Sequence, residues 1–308
     1  MFSFTKKQKT FEISDIKIGG QPGNNPTVLF GGLFFKGNPD YKSAETNLKT
    51  MYNLSKKTGL PAIPDFFFKK EEYIDEIIDF IEKKVPKNKP FSVDIIEIDL
   101  KVKILEKLDD KNLLPRTIYN SIHVGINKEE EKSLKMHTPE MAIIVAFNPK
   151  DKSPDGKIEV LENGAHLIDN GLIDLSKKIG IQKILVDTAA MAPGDNSGAA
   201  ISAIPVIKEE YGLPTGCAIH NVVEKSNWLK DFEKARKTVD ISSNINISLF
   251  GGDFAIFGPI ENSEFVFPVI AWQDILISEY TESYFGTTTS EDHPRRKLAW
   301  WRIKSKPV

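Results

Sequence analysis

One cysteine, Cys217, occurs among the 308 residues. That excludes an internal disulfide framework and a multi-cysteine zinc site, and fits a reducing compartment. Cys217 lies in an apolar segment, where an inert buried thiol is the expectation. No apolar run approaches the roughly 20 residues needed to span a bilayer. Met1-Phe2-Ser3-Phe4 runs straight into Lys6-Lys7-Gln8-Lys9 with no apolar stretch behind it, so no secretory signal is expected and a cytoplasmic protein is. Charge of one sign is also missing. The formal net charge is −2, with Lys and Glu interspersed, and this leaves no basic face for nucleic acid. The five histidines, His123, His137, His166, His220 and His293, show no metal-ligand spacing, so no metal site is expected. Neither a G-x-x-x-x-G-K-[ST] phosphate loop nor a G-x-S-x-G elbow is present.

What is there is organised around Ile184-Leu185-Val186-Asp187-Thr188, an apolar run that ends on an acid and opens into a small-residue loop. A buried parallel strand reads as a continuous apolar run, and a carboxylate at its C-terminal end points into whatever the following loops enclose. The same shape recurs at Ser92-Val93-Asp94, Thr117-Ile118-Tyr119-Asn120-Ser121 and Cys217-Ala218-Ile219-His220-Asn221. Along the chain the strands fall at about 27–35, 61–68, 91–96, 117–122, 141–147, 184–188, 216–221 and 253–259. Amphipathic segments separate them at about 43–57, 70–84, 99–108, 128–135, 164–179, 197–211, 227–237 with 239–249, and 265–280. Eight strands alternating with helices, with no early G-x-G-x-x-G, make an α/β fold of the (β/α)8 TIM barrel type in preference to a doubly wound sheet. One barrel domain spanning 1–308 is expected, preceded by a small N-terminal β-hairpin within 1–25 and followed by a polar tail, 287–308.

In a barrel the strand ends share one face, so Asp94, Asn120, Asp187 and Asn221 are expected to converge although scattered in sequence. Taken singly, each is also explained as a helix cap or turn residue. Together, two carboxylates and two amides suit a flat heterocycle that offers an N–H beside an amino group, because a carboxylate accepts both in a forked pair. His220 and Asn221 are neighbours, and on a strand neighbours face opposite ways, so only one is expected in the pocket, and Asn221 is preferred.

With those residues placed, the sequence resembles the family of the H subunit of tetrahydromethanopterin S-methyltransferase and its stand-alone relatives that methylate tetrahydrofolate from methyl-corrinoid proteins. The resemblance is carried by Gly19-Gly20-Gln21-Pro22-Gly23, Ile118-Tyr119-Asn120-Ser121-Ile122, Ala142 to Asn148, and Leu185-Val186-Asp187-Thr188-Ala189. It continues through Gly212-Leu213-Pro214, Gly216-Cys217, His220-Asn221, Trp228-Leu229-Lys230, and Asp253-Phe254 with Gly258-Pro259-Ile260-Glu261-Asn262. More distantly the chain looks like the pterin-binding barrels. The resemblance implies a methyltransferase of one-carbon metabolism and methanogenesis that exchanges methyl between an N5-methyl-tetrahydropterin, tetrahydromethanopterin or tetrahydrofolate, and a corrinoid. Asp187 would bind the 2-amino and N–H edge of the pterin, Asp94 and Asn120 would complete ring recognition, Asn221 would sit near the methyl-bearing nitrogen, and Asn148 is a further candidate on the same face. Asn221 and Asp187 are the catalytic candidates. No D-x-H-x-x-G corrinoid string occurs in the chain, so the cobalamin is expected on a partner protein. Further subunits of a membrane-bound complex, with peripheral attachment through them, are implied, and a homodimer is expected through the hairpin and Trp300-Trp301. Two alternatives stand beside this reading: a non-catalytic pterin-binding subunit, and a dihydropteroate-synthase-like enzyme, which would need a basic diphosphate site that the strand-end loops do not supply apart from Lys225.

Overall fold

A computed structural model describes residues 3–35, 38–192 and 194–299. Two short strands, β1 (Thr10–Ile13) and β2 (Ile16–Gly19), form the N-terminal antiparallel hairpin. Eight parallel strands follow: β3 (Val28–Phe34), β4 (Ala62–Phe68), β5 (Phe91–Ile95), β6 (Thr117–Ile122), β7 (Met141–Val145), β8 (Ile184–Asp187), β9 (Thr215–Cys217) and β10 (Phe254–Pro259). They close in the order β10-β3-β4-β5-β6-β7-β8-β9, a TIM barrel with helices outside.

The helices form where apolar spacing and end chemistry agree. In α2 (Ile74–Lys84), Ile74, Ile77, Ile78 and Ile81 are buried on one face, Asp75 and Glu76 occupy the first turn, and Lys83 and Lys84 the last. Acids near the N-terminus and bases near the C-terminus each complement the helix dipole. For α1 (Tyr41–Thr58), the Asp40 carboxylate accepts from Ser43 N at 3.0 Å, and Gly59 stops the helix in the left-handed region at φ 87°.

The expected helix over 164–179 is instead two. α5 (Pro154–Asn163) starts ten residues earlier, and Gly164 and Ala165, at φ 77° and 53°, break the path before α6 (Leu172–Ile179). The seventh strand is shorter than expected. It ends at Cys217, and His220–Glu224 forms the short α8. The span expected as one helix at 227–237 is a 3-10 turn, Asn227–Phe232, leading into α9 (Glu233–Ser243), followed by α10 (Ile245–Leu249). The remaining helices are α3 (Ile98–Asp110), α4 (Lys128–Met136), α7 (Gly198–Tyr211) and α11 (Ser263–Phe285). Among the described residues no helix is long and apolar enough to cross a membrane.

Alternation along each strand divides the apolar residues between two cores. Leu29, Phe66, Phe91, Val93, Tyr119, Ile144 and Val186 face outward and pack with the helices. Val28, Phe30, Ile63, Ile118, Met141, Ile143, Leu185 and Phe254 fill the barrel interior, and they cluster with Ile13, Ile16 and Ile18 of the hairpin. The hairpin therefore seals the N-terminal end of the barrel. Its apolar residues are spent on that seal, so they do not provide the exposed dimer contact expected of them, and Trp300-Trp301 lies outside the described residues. A buried ion pair fixes the seal. Lys208 Nζ on α7 reaches both oxygens of Asp253 at 2.6 Å and the carbonyl of Gly20 at 3.1 Å. With the interior closed by hydrocarbon at that end, the polar side chains described inside the barrel enter it from the C-terminal end.

Candidate functional site

Strand register sets the mouth of the barrel. Phe34 pairs with Phe67, Phe67 with Asp94, and Asp94 with Asn120, so four neighbouring strands present two aromatic rings, an acid and an amide in one row. Asp65 lies two residues below Phe67 on β4, opposite Gly32 and Ser92. Across the barrel Asp187 pairs with Val145 on one side and Gly216 on the other. Three carboxylates thus enter one end of the interior, above an apolar floor.

Their hydrogen bonds are few. Asn120 Nδ2 donates to Asp65 Oδ2 at 3.2 Å, while Asp65 Oδ1 and the neighbouring Ser92 Oγ are buried and make no hydrogen bond of regular geometry among the described residues. Asp187 Oδ1 accepts from the N–H of Ala189 at 2.8 Å, a bond made possible by the left-handed conformation of Ala189 at φ 56°. Burial disfavours the charged form of each acid. It pushes Asp65 up to about 6 against the pull of the Ser92 hydroxyl and then of Asn120. Asp187 likewise rises to about 6, with the Ala189 N–H and Lys157 holding it down. Asp94 is pushed up to about 8, first by burial and then by the charges of Asp65 and Asp187, against the counter-pull of Lys101. Burial and mutual repulsion thus hold a proton on the Asp65–Asp94 pair beside Asp187, which gives the mouth both a donor and a set of acceptors.

Asp94 and Asp187 each have a buried lysine behind them, Lys101 and Lys157. Lys101, on α3, is bonded to Glu130 Oε1 at 2.8 Å and to the Ser121 carbonyl at 3.2 Å, and the Tyr119 hydroxyl donates to the same Glu130 oxygen at 2.7 Å. Lys157, on α5, donates to the Ala146 carbonyl at 3.4 Å, its one hydrogen bond among the described residues, and burial lowers its pKa while Asp187 raises it. Neither lysine figured in the expected site, nor did Asp65. Signals existed: Lys101 and Lys157 occupy positions on the apolar stripes of their helices, beside Ile104, Leu105 and Leu108 and beside Val160 and Leu161. Asp65 is the lone acid in the otherwise apolar strand Ala-Ile-Pro-Asp-Phe-Phe-Phe.

The other expected residues are placed differently from one another. Asn148 is buried in the loop after β7. Its oxygen accepts from Lys150 N and Asp151 N at 2.9 and 3.2 Å, and its amide donates to Gly156 O and Glu159 Oε2, both at 3.3 Å. Both ends of that side chain organise the loop. Asn221 stands exposed in the first turn of α8 with no side-chain bond among the described residues. The strand argument used to choose between it and His220 does not hold, because both residues are helical. His220 is buried with Nδ1 2.8 Å from Asp240 Oδ1, and a Cβ on Gly258 would stand 2.4 Å from its ring. Burial pushes the Cys217 thiol up, so it stays protonated.

The fold is a (β/α)8 barrel with three carboxylates and an amide gathered at its mouth. A family model for the tetrahydromethanopterin S-methyltransferase MtrH subunit matches residues 6–288. The chain is 36% identical over 312 residues to the H subunit of tetrahydromethanopterin S-methyltransferase from Methanothermobacter thermautotrophicus, covering 97% of this chain and 100% of that protein. Against the corresponding H subunit of Methanosarcina barkeri it is 35% identical over 318 residues, with the same coverage of each. The chain belongs to this methyltransferase family. Solved structures with the same fold include dihydropteroate synthase from Thermus thermophilus (TM-score 0.53, 13% identity, 85% of this chain and 98% of that one). A truncated 3-deoxy-D-arabino-heptulosonate 7-phosphate synthase from Thermotoga maritima is also similar (TM-score 0.57, 12% identity, 92% and 96%).

The raised acids link stability to pH. In the unfolded chain an Asp loses its proton near pH 4, whereas the folded chain keeps protons on Asp65, Asp187 and Asp94 up to about 6, 6 and 8. The folded state therefore binds more protons between about pH 4 and 8, and ligand-free stability falls as pH rises through that window, most steeply below 6. Asp94→Asn is expected to raise the melting temperature at pH 8.5 by roughly 2–4 °C and to leave a shallower slope between pH 6 and 8.5. Some slope persists, because Asp274, under the barrel, is also raised, to about 7. Thermal melts of both proteins across this range check it, and parallel slopes would contradict the assignment.

Proposed function

We propose that the protein exchanges a methyl group between N5 of an N-methyl-tetrahydropterin and the cobalt of a corrinoid carried by a partner protein. The observation that carries the reading is the convergence of Asp65, Asp94, Asn120 and Asp187 in one barrel mouth, in a chain whose relatives are named tetrahydromethanopterin methyltransferase subunits. Asp187, ionised at neutral pH, accepts the paired N–H and amino donors of the pterin edge. Asp94 keeps its proton and donates to a ring acceptor. Asn120, anchored through its amide nitrogen to Asp65, turns its oxygen to a ring donor.

Methyl transfer from a tertiary amine requires that the nitrogen gain positive character before it leaves. Asn221, exposed at the rim, holds a water or the ring proton there without itself titrating. The rest of the chain's task is alignment. The barrel fixes the nitrogen beneath an open rim, so that a docked corrinoid protein brings its cobalt in line with the methyl group. Asn148, committed to its loop, takes no part.

The chain works within an assembly on this reading, peripheral to any membrane-bound subunits, and pairs with a second copy. Support for pairing comes from α11, where Phe265, Trp272, Leu276 and Tyr284 remain exposed at helical spacing along one side. Sedimentation should then find a dimer that Trp272→Glu dissociates. A monomeric wild type would end the pairing idea, and a dimeric variant would move the interface elsewhere.

Activity is read from the absorbance of reduced cobalamin mixed anaerobically with the protein and either methyl-tetrahydrofolate or methyl-tetrahydromethanopterin. Conversion to methyl-cobalt(III) with one of them is the expected outcome. Asp187→Ala should abolish it, weakening pterin binding by roughly 2–5 kcal/mol while the melting temperature holds. Tight pterin binding without turnover would favour a binding subunit, and undiminished binding by Asp187→Ala would overturn the site.

A further inference from the structure

The row of side chains that contains Asp94 and Asn120 continues past them into Phe67 and Phe34, and those two rings have no role in holding the pterin edge. Their centroids are 5.7 Å apart at 53°. Phe67 lies beside Asp94 on the adjacent strand and two residues above Asp65, about 7 Å further toward the rim. Phe34 is 42% exposed, an unusual position for a phenylalanine at the end of a barrel strand. Tyr73 closes the outer side, its hydroxyl donating to Asn38 Oδ1 at 2.7 Å. The cleft these rings share has a volume of about 370 Å³, far more than one aromatic ring needs, and Phe67, which borders Asp94 in the strand register, forms its inner wall.

Charge changes sign along that path. The mouth holds three aspartates, whereas the outer end of the cleft is lined by Lys69 and Lys70. Lys70 Nζ is 3.2 Å from Glu72 and 5.4 Å from the centre of the Tyr73 ring, so its charge is partly matched. Lys69 is exposed and has no ion pair among the described residues. A ligand that fits the whole sequence of environments is cationic or donor-rich at one end, aromatic in the middle and anionic at the far end. Stacking against tilted rings gives the middle its place, and a lysine on a flexible stem meets an anion without demanding one geometry.

We propose that the Phe34–Phe67–Tyr73 cleft is the subsite for the side arm of the tetrahydropterin substrate, the rings taking its aryl group and Lys69 its anionic end. The inference rests on the pterin reading of the mouth and deepens it. It assigns to β3, β4 and the turn after β4 the discrimination between a bare pterin and a full-length carrier.

The test is calorimetric, with two probes: N5-methyl-tetrahydrofolate, which carries an aryl group and carboxylates, and N5-methyl-6-methyl-tetrahydropterin, which has neither. The wild type should bind the first at least ten times more tightly. Phe34→Ala should lose about tenfold for the tailed probe and nothing for the short one. Lys69→Ala should lose a smaller factor, about three- to fivefold, again only for the tailed probe, and remove most of its dependence on salt. Both positions are exposed, so the variants keep the fold, which the short probe verifies. Equal affinity of the wild type for the two probes, or equal losses for both in Phe34→Ala, overturns the subsite while leaving the pterin mouth intact. Failure of the wild type to bind either probe overturns the mouth and the subsite together.

Discussion

Carboxylates crowded into the end of a barrel are costly, and the arrangement of this protein follows from how that cost is met. An isolated buried charge is disfavoured by several kcal/mol unless it is paired or neutralised. Here Asp94 is kept protonated by burial and by its two neighbours, Asp65 leans on the Asn120 amide, and Asp187 takes a backbone N–H from Ala189. Lys101 and Lys157 pull from behind through the barrel wall. None of these is a full partner. Buried acceptors are left unmatched, and the proposed pterin, with its N–H donors, would supply what the protein alone does not.

The closed end of the barrel is the counterpart of that tension. Hairpin residues Ile13, Ile16 and Ile18 turn the lower interior into a continuous hydrocarbon core, and Lys208 ties the hairpin's exit to Asp253. Water reaches the acids from one side only. The low dielectric beneath them is what lifts their affinity for protons, so the apolar plug and the acid–base character of the mouth are two consequences of one packing scheme.

Much of this was legible in the sequence. All eight strands could be read because each is a short apolar run closed by turn residues, and Asp94, Asn120 and Asp187 because a polar residue at the end of such a run has nowhere to go but the mouth. Asp65 was hidden by its position within a run rather than at its end. Lys101 and Lys157 were hidden because helical spacing reports a face, not which of its members reaches a strand end. Asn148 lies in the loop rather than at a strand end because β7 stops at Val145, two residues short of the apolar run. The break between α5 and α6 turns on Ala165 at positive φ, a conformation that alanine does not advertise.

With Asp187 accepting and Asp94 donating at the same pH, the mouth would act as an amphoteric site. Affinity for an N5-methyl-tetrahydropterin, measured by calorimetry from pH 5 to 9.5, examines that directly. Binding should weaken below about 6, as Asp187 takes up a proton, and again above about 8, as Asp94 loses one. A bell centred near neutrality, with its alkaline limb absent in Asp94→Asn, is the predicted result. An affinity flat across the range, or an alkaline limb unchanged in the variant, would contradict it.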